Sequence, residues 1–186
     1  MKLFGSYTSP FVRHCRIVLA QQQRQFEFVS TDYTQSAQQS PAMRVPFFSD
    51  NDLKLHDSSS ILRYLRNSAG QSFCATPEQF DLYCMVNTAL DTTVNLFLLE
   101  RDGITAADVS YLQRQQSRVE AILSELNQIT WPETEVENDA HLRLACFLSW
   151  AQFRERLDVQ QWPQLQGFLA AMNQQAWFAN THPALT

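Results

Sequence analysis

The residues able to do chemistry sit at two helix starts. Ser9-Pro10 opens the first. It follows a polar break, Gly5-Ser6-Tyr7-Thr8, and precedes Phe11, Cys15, Val18 and Leu19 at i, i+4, i+7 and i+8, one apolar helical face. Serine accepts from free N–H groups as an N-cap, and proline fits the first helical position because its missing N–H is not needed there. Asp57-Ser58 opens the second, ahead of Ile61, Leu62 and Leu65 on a shared face. A hydroxyl beside free N–H groups and the positive end of a helix dipole is suited to an anion. Each residue also has a plainer use. Ser9 and Asp57 suffice as helix caps, Arg44 as a solvated surface arginine, and Phe11 as core packing.

Those positions need a scaffold. Residues 2–4 are enough for a strand, and 26–30 alternate apolar and polar as a half-buried strand does. Residues 31–43 are small and polar and predict a loop with at most one short helix. Strands are expected at 45–48 and 53–55, parted by the turn cluster Asp50-Asn51-Asp52. The second helix ends at Asn67 and Gly70. This order suits an α/β domain with a mixed sheet. Beyond Thr76 only helical patterns follow: 80–100 after the start Thr76-Pro77-Glu78, 106–129 with Val109, Leu112, Val119, Ile122, Leu123, Leu126 and Ile129 as its stripe, 139–156, and 163–175. Residues 139–156 are apolar on most sides and predict the central helix of a bundle. Trp177-Phe178 dock the tail. The domains are accordingly 1–70, α/β, and 76–186, all-helical.

Composition narrows the function. The chain has 186 residues and a net charge of -5, without the Lys/Arg surplus that sequence-independent nucleic-acid binding requires. No apolar stretch approaches membrane-span length, and no basic segment followed by a long apolar run opens the chain. Cys15, Cys74, Cys84 and Cys146 form no C-x-x-C, and no histidine stands at metal-ligand spacing from them, so no metal is expected. Cys15, Cys84 and Cys146 lie in apolar helical patterns and read as buried thiols, which suits a reducing cytoplasm.

Four segments in order carry a resemblance. They are Ser9-Pro10-Phe11-Val12-Arg13 with Arg16-Ile17-Val18-Leu19, then Arg44-Val45-Pro46-Phe47-Phe48, then Leu55-His56-Asp57-Ser58-Ser59-Ser60-Ile61-Leu62-Arg63-Tyr64-Leu65, and finally Trp162-Pro163-Gln164-Leu165 with Phe178-Ala179-Asn180-Thr181-His182-Pro183. The whole resembles bacterial serine-type glutathione S-transferases, which join a thioredoxin-like domain to a helical one. The resemblance implies glutathione as co-substrate and a small apolar electrophile bound between the domains. It also implies a homodimer, a cytoplasmic location and a role in detoxification, with no nucleic acid or membrane as partner.

The same resemblance assigns residue roles. Ser9 is the catalytic residue: its hydroxyl donates to the glutathione sulfur and favours the thiolate, a thiol of ordinary pKa about 8.5. Thr8 is the fallback. Val45 pairs its backbone with the cysteinyl part, before a proline whose peptide bond is cis in the family; read without the family, Val45-Pro46 is a trans strand entry. Ser58 takes the α-carboxylate of the γ-glutamyl group and Asp57 its amine. Arg44 holds the glycine carboxylate, and Phe11 walls the sulfur. Gly5 stands about where tyrosine-type relatives carry their tyrosine, so Tyr7 has no such role.

The chain departs from the family in two places. Ser40-Pro41-Ala42-Met43 stands where N-P-x-G is usual, and Val136 occupies the place of the Ser or Thr three residues ahead of Asp139, leaving Asn138 or Thr134 to cap that helix. Two other functions fit the same fold. One is a non-catalytic binding or regulatory protein. The other is a glutathione-dependent thiol–disulfide reductase, which requires a cysteine where this chain has Ser9.

Overall fold

The computed structural model describes residues 1–132, 136 and 138–185, and the chain divides into two compact units, Met1–Ala75 with Ala176–Thr186, and Thr76–Gln175. The sequence predicts one helical domain over 76–186. In the structure the last residues join the first unit instead, held there by Arg13 of the first helix.

The first unit begins with β1 (Lys2–Gly5), α1 (Pro10–Gln21), β2 (Glu27–Ser30), α2 (Tyr33–Gln39), β3 (Phe47–Asp50), β4 (Leu53–Leu55) and α3 (Ser58–Ser68). Its four strands lie in the order β2-β1-β3-β4. β1 runs parallel to β2, with Gly5 opposite Ser30, and antiparallel to β3, with Phe4 opposite Phe47. β3 runs antiparallel to β4, with Phe48 opposite Leu55. The sheet is mixed, as the sequence implies. This register puts the end of β1, the start of β3 and the end of β4 along one edge, so the loops carrying Ser9, Val45 and Asp57 share it.

α1 packs on α3, whose Ile61, Leu62 and Leu65 are fully buried. The end of α1 is tied to α3 by Gln22 Nε2, which donates to the Leu65 carbonyl at 3.1 Å. The buried surface of α1 is wider than the predicted stripe. Val12, Arg13 and His14 are buried beside Cys15, Val18 and Leu19, whereas Phe11 is only half-buried. α2 is the one short helix that the composition of residues 31–43 allows. It is fixed by a capping box: Asp32 Oδ1 accepts from the Gln35 N–H at 2.8 Å and Gln35 Oε1 from the Asp32 N–H at 3.0 Å. β3 starts two residues later than 45–48 because its pairing runs to Asp50 at the hairpin, where Asn51 turns at φ 50°.

The second unit holds α4 (Pro77–Arg101), α5 (Ser110–Leu126), α6 (Asp139–Phe153), a 3-10 turn at Val159–Gln161, and α7 (Pro163–Asn173). α6 is the central helix: residues 139–151 are all buried, and both α4 and α7 pack on it. Asn138 caps it, with Oδ1 accepting from the Ala140 and His141 N–H groups at 2.9 and 3.1 Å. Thr134, the other candidate cap, lies outside the described residues. On α6 the buried Arg143 donates to the Tyr83 hydroxyl of α4.

Three sequence expectations change here. α5 begins at Ser110, not 106, because Asp108 Oδ2 accepts from the Thr105 N–H at 2.8 Å and holds a separate turn, leaving Val109 exposed. Cys84 is exposed on α4 rather than buried, while Cys15 and Cys146 are buried and all four cysteines are free. α4, 25 residues long, is long and apolar enough by length and composition to cross a membrane. Its buried residues include Tyr83, Val86, Ala89 and Leu90, and it packs on α5 and α6.

The tail forms α8 (Ala176–Ala179) and belongs to the first unit. The buried Arg13 of α1 holds it: Nη2 donates to the Phe178 carbonyl at 2.7 Å and Nε to Thr181 Oγ1 at 3.1 Å. Phe178 is fully buried, as its predicted docking requires.

Candidate functional site

β1 ends where the chain must turn sharply to start α1. The Ser9 N–H donates to the Ser6 carbonyl at 3.1 Å and closes that turn. Gly5 is required on the way: a Cβ built there lies 2.5 Å from Val12 Cγ2 and 2.8 Å from Cγ1. Strand and helix therefore meet with only the Val12 side chain between them, and position 5 has no room for a tyrosine.

Ser9 is the N-cap of α1 with extended backbone, φ −74° and ψ 126°, and its Oγ accepts from the Val12 N–H at 3.4 Å. Capping uses one lone pair. A hydroxyl also carries one donor hydrogen, so Ser9 can cap the helix and donate outward at once. Thr8 is placed differently, its Oγ1 sharing a 3.0 Å hydrogen bond with Ser6 Oγ. Tyr7 packs its ring 4.3 Å from that of Phe28, and the Arg16 guanidinium lies 4.5 Å from the Tyr7 centroid. Burial pushes Arg16 below its usual range, and the nearby Tyr7 partly opposes this.

Across the edge, Val45 is half-buried and its peptide bond to Pro46 is cis. Among the described residues no backbone hydrogen bond engages the Val45 N–H or C=O. Just before it, Met43 adopts φ 51°, a left-handed conformation that favours glycine. Met43 is the residue that stands at the glycine of the N-P-x-G pattern, and its backbone takes a conformation that glycine adopts readily. Ser40 Oγ lies 3.1 Å from His56 Nδ1, which joins the end of α2 to the residue before Asp57.

Asp57 caps α3, its Oδ1 accepting from the Ser59 N–H at 2.8 Å. Its Oδ2 is 3.3 Å from Arg44 Nη2, an ion pair with both side chains about half exposed. Ser58, first in α3, is buried. The fold thus gathers Ser9, Val45, Asp57, Ser58 and Arg44 at one sheet edge, with Phe11 in the first turn of α1. Sequence reasoning missed the Arg44–Asp57 pair and the Ser40–His56 contact, which only the strand register brings together. Among the described residues no group of three or more His, Cys, Asp or Glu side chains is placed to hold a metal ion.

Residues 3–73 match the family model described as glutathione S-transferase, N-terminal domain. No curated protein matches the chain significantly. Among solved structures the chain is similar to a glutathione S-transferase from Methylobacillus flagellatus with GSH bound, at 25% identity and TM-score 0.84, covering 98% of each chain. It is also similar to one from Methylobacterium radiotolerans in complex with glutathione sulfonate, at 19% identity and TM-score 0.81, covering 98% of this chain and 94% of that one. A third is maleyl pyruvate isomerase, a bacterial glutathione S-transferase in Zeta class, at 16% identity and TM-score 0.80, covering 100% and 98%.

Proposed function

We propose, on the match of residues 3–73 to the glutathione S-transferase N-terminal domain, that the chain is a glutathione S-transferase that binds glutathione and adds its thiolate to small apolar electrophiles. The observation that carries this reading is the register that gathers three features at one sheet edge: the Ser9 hydroxyl, the Val45 backbone and the α3 N-terminus. Each suits one part of glutathione. The Ser9 O–H donates to the sulfur and favours the thiolate over the thiol. The Val45 main chain pairs with the cysteinyl peptide. Asp57 and Ser58, at the positive end of α3, take the amine and α-carboxylate of the γ-glutamyl group. Phe11 forms a wall beside the sulfur. A homodimer in a reducing cytoplasm is part of the same proposal, and the four free cysteines suit that compartment.

The test is calorimetry with glutathione and a melting scan. Binding to the folded state adds about 2.7 kcal/mol of stability at a hundredfold excess over Kd. Conjugation of an aryl halide then follows thioether formation directly. Flat calorimetry with an unmoved melting temperature removes the reading. Binding without turnover of any common electrophile moves the protein to the non-catalytic class.

A further inference from the structure

The ligand site proposed above is the premise of a sharper assignment. By resemblance Arg44 meets the glycine carboxylate of glutathione. The geometry gives it another neighbour. Arg44 Nη2 lies 3.3 Å from Asp57 Oδ2, while Asp57 Oδ1 accepts from the Ser59 N–H at 2.8 Å. The carboxylate that fixes the first turn of α3 also draws the guanidinium to that turn. Both side chains stay about half exposed, so a ligand can reach either one.

A γ-glutamyl group ends in a zwitterion, with an ammonium and a carboxylate on one carbon. Arg44 and Asp57 present the complementary charges side by side, next to Ser58. A guanidinium offers a planar fork that fits a carboxylate with two parallel hydrogen bonds. The α3 dipole favours the same anion in the same place. A glycine carboxylate, by contrast, is two residues away along the ligand from this end. We propose that Arg44 is a specificity-determining residue for the γ-glutamyl end: it reads the α-carboxylate while Asp57 takes the α-amine. The apo ion pair opens and each partner exchanges one opposite charge for another. Ligands with an amine but no carboxylate leave Arg44 unanswered.

Three S-methylated ligands separate the possibilities by calorimetry: S-methylglutathione, S-methyl-γ-glutamylcysteine without glycine, and S-methyl-4-aminobutyryl-cysteinylglycine without the α-carboxylate. Arg44→Ala should weaken the first two by the same factor, on the order of 10–100-fold, the usual loss for a hydrogen bond to a charged group. It should leave the weak third ligand unchanged. Arg44→Lys keeps the charge without the fork and should fall between. Retained affinity for γ-glutamylcysteine alone returns Arg44 to the glycine end and overturns the assignment. An equal loss for all three makes Arg44 a support for Asp57 and also overturns it. No loss for any leaves a surface ion pair only. Wild-type protein that binds none of the three fails before any variant is made, and that result removes the glutathione reading itself. Melting temperatures confirm that the variants are folded.

Discussion

Arg13 donates to the Phe178 carbonyl at 2.7 Å, and its guanidinium carbon lies 3.8 Å from the centroid of the Phe178 ring. One buried cation near the start of α1 therefore holds a segment 165 residues further on. Arg13→Ala removes both tail hydrogen bonds and leaves a large side chain's volume empty. It should cost about 2–4 kcal/mol in chemical denaturation. Limited proteolysis should cut the released tail first. A variant within about 0.5 kcal/mol of wild type would mean that Phe178 burial alone holds the tail.

His182 lies in that tail. Burial, and secondarily the charge of Arg13, push its imidazole below the usual value. The unfolded chain, with a pKa of about 6.5, then binds more protons than the folded one in the window just below. Stability rises with pH where the unfolded state holds more protons. This contribution is therefore complete above about 6.5 and is lost as pH falls through the folded midpoint. An NMR titration of the His182 ring should give a midpoint below 6.5, and Arg13→Ala should raise it. A wild-type midpoint at or above that of a free histidine contradicts the assignment.

Ser9→Ala separates capping from catalysis. The cap bond is long, 3.4 Å, so its loss should cost about 0.5–1 kcal/mol, the low part of the range for caps. Conjugation near neutral pH should fall on the order of 10²–10³, as when one well-placed donor is removed elsewhere. Glutathione affinity should change little, since the contacts at α3 remain. Full activity in Ser9→Ala would pass the role to Thr8.

Met43→Gly tests the turn that precedes Val45. Met43 is 63% exposed, so little packing is lost, and its φ of 51° is one that side chains resist by about 1–2 kcal/mol. Glycine returns part of that gain as entropy, about 0.5–1 kcal/mol. The variant should be as stable as wild type or up to about 1 kcal/mol more stable. A clear loss in denaturation would show that the Met43 side chain is held by contacts that its exposure conceals.

What the sequence made legible follows from how local each signal is. Ser9-Pro10, Thr76-Pro77 and Asp57-Ser58 mark helix starts through neighbours in the chain, and all three helices begin there. The apolar girth of α6 is local too. β3 was misplaced because Ser49 and Asp50 belong to it by pairing with Lys54 and Leu53, not by hydropathy. α2 is glutamine- and serine-rich, and the signal that fixes it, Asp32 with Gln35 three residues on, was present in the sequence but unread. Arg13 looks like one more polar residue on a helix. Its partners lie at the other end of the chain, so no window of sequence reveals them.

The contact between Gly5 and Val12 also bears on which ancestors and descendants this protein can have. A tyrosine at position 5 is not one substitution away, because even a single added carbon meets Val12 at 2.5 Å. Any lineage or design moving thiol activation onto the strand must first carve away Val12, giving up a buried side chain before the new group can work. The turn is under no such lock. Exchange of residue 8 or 9 gives up one local hydrogen bond, between Thr8 Oγ1 and Ser6 Oγ or between the Val12 N–H and Ser9 Oγ, rather than a buried side chain, so selection for new chemistry is channelled to them.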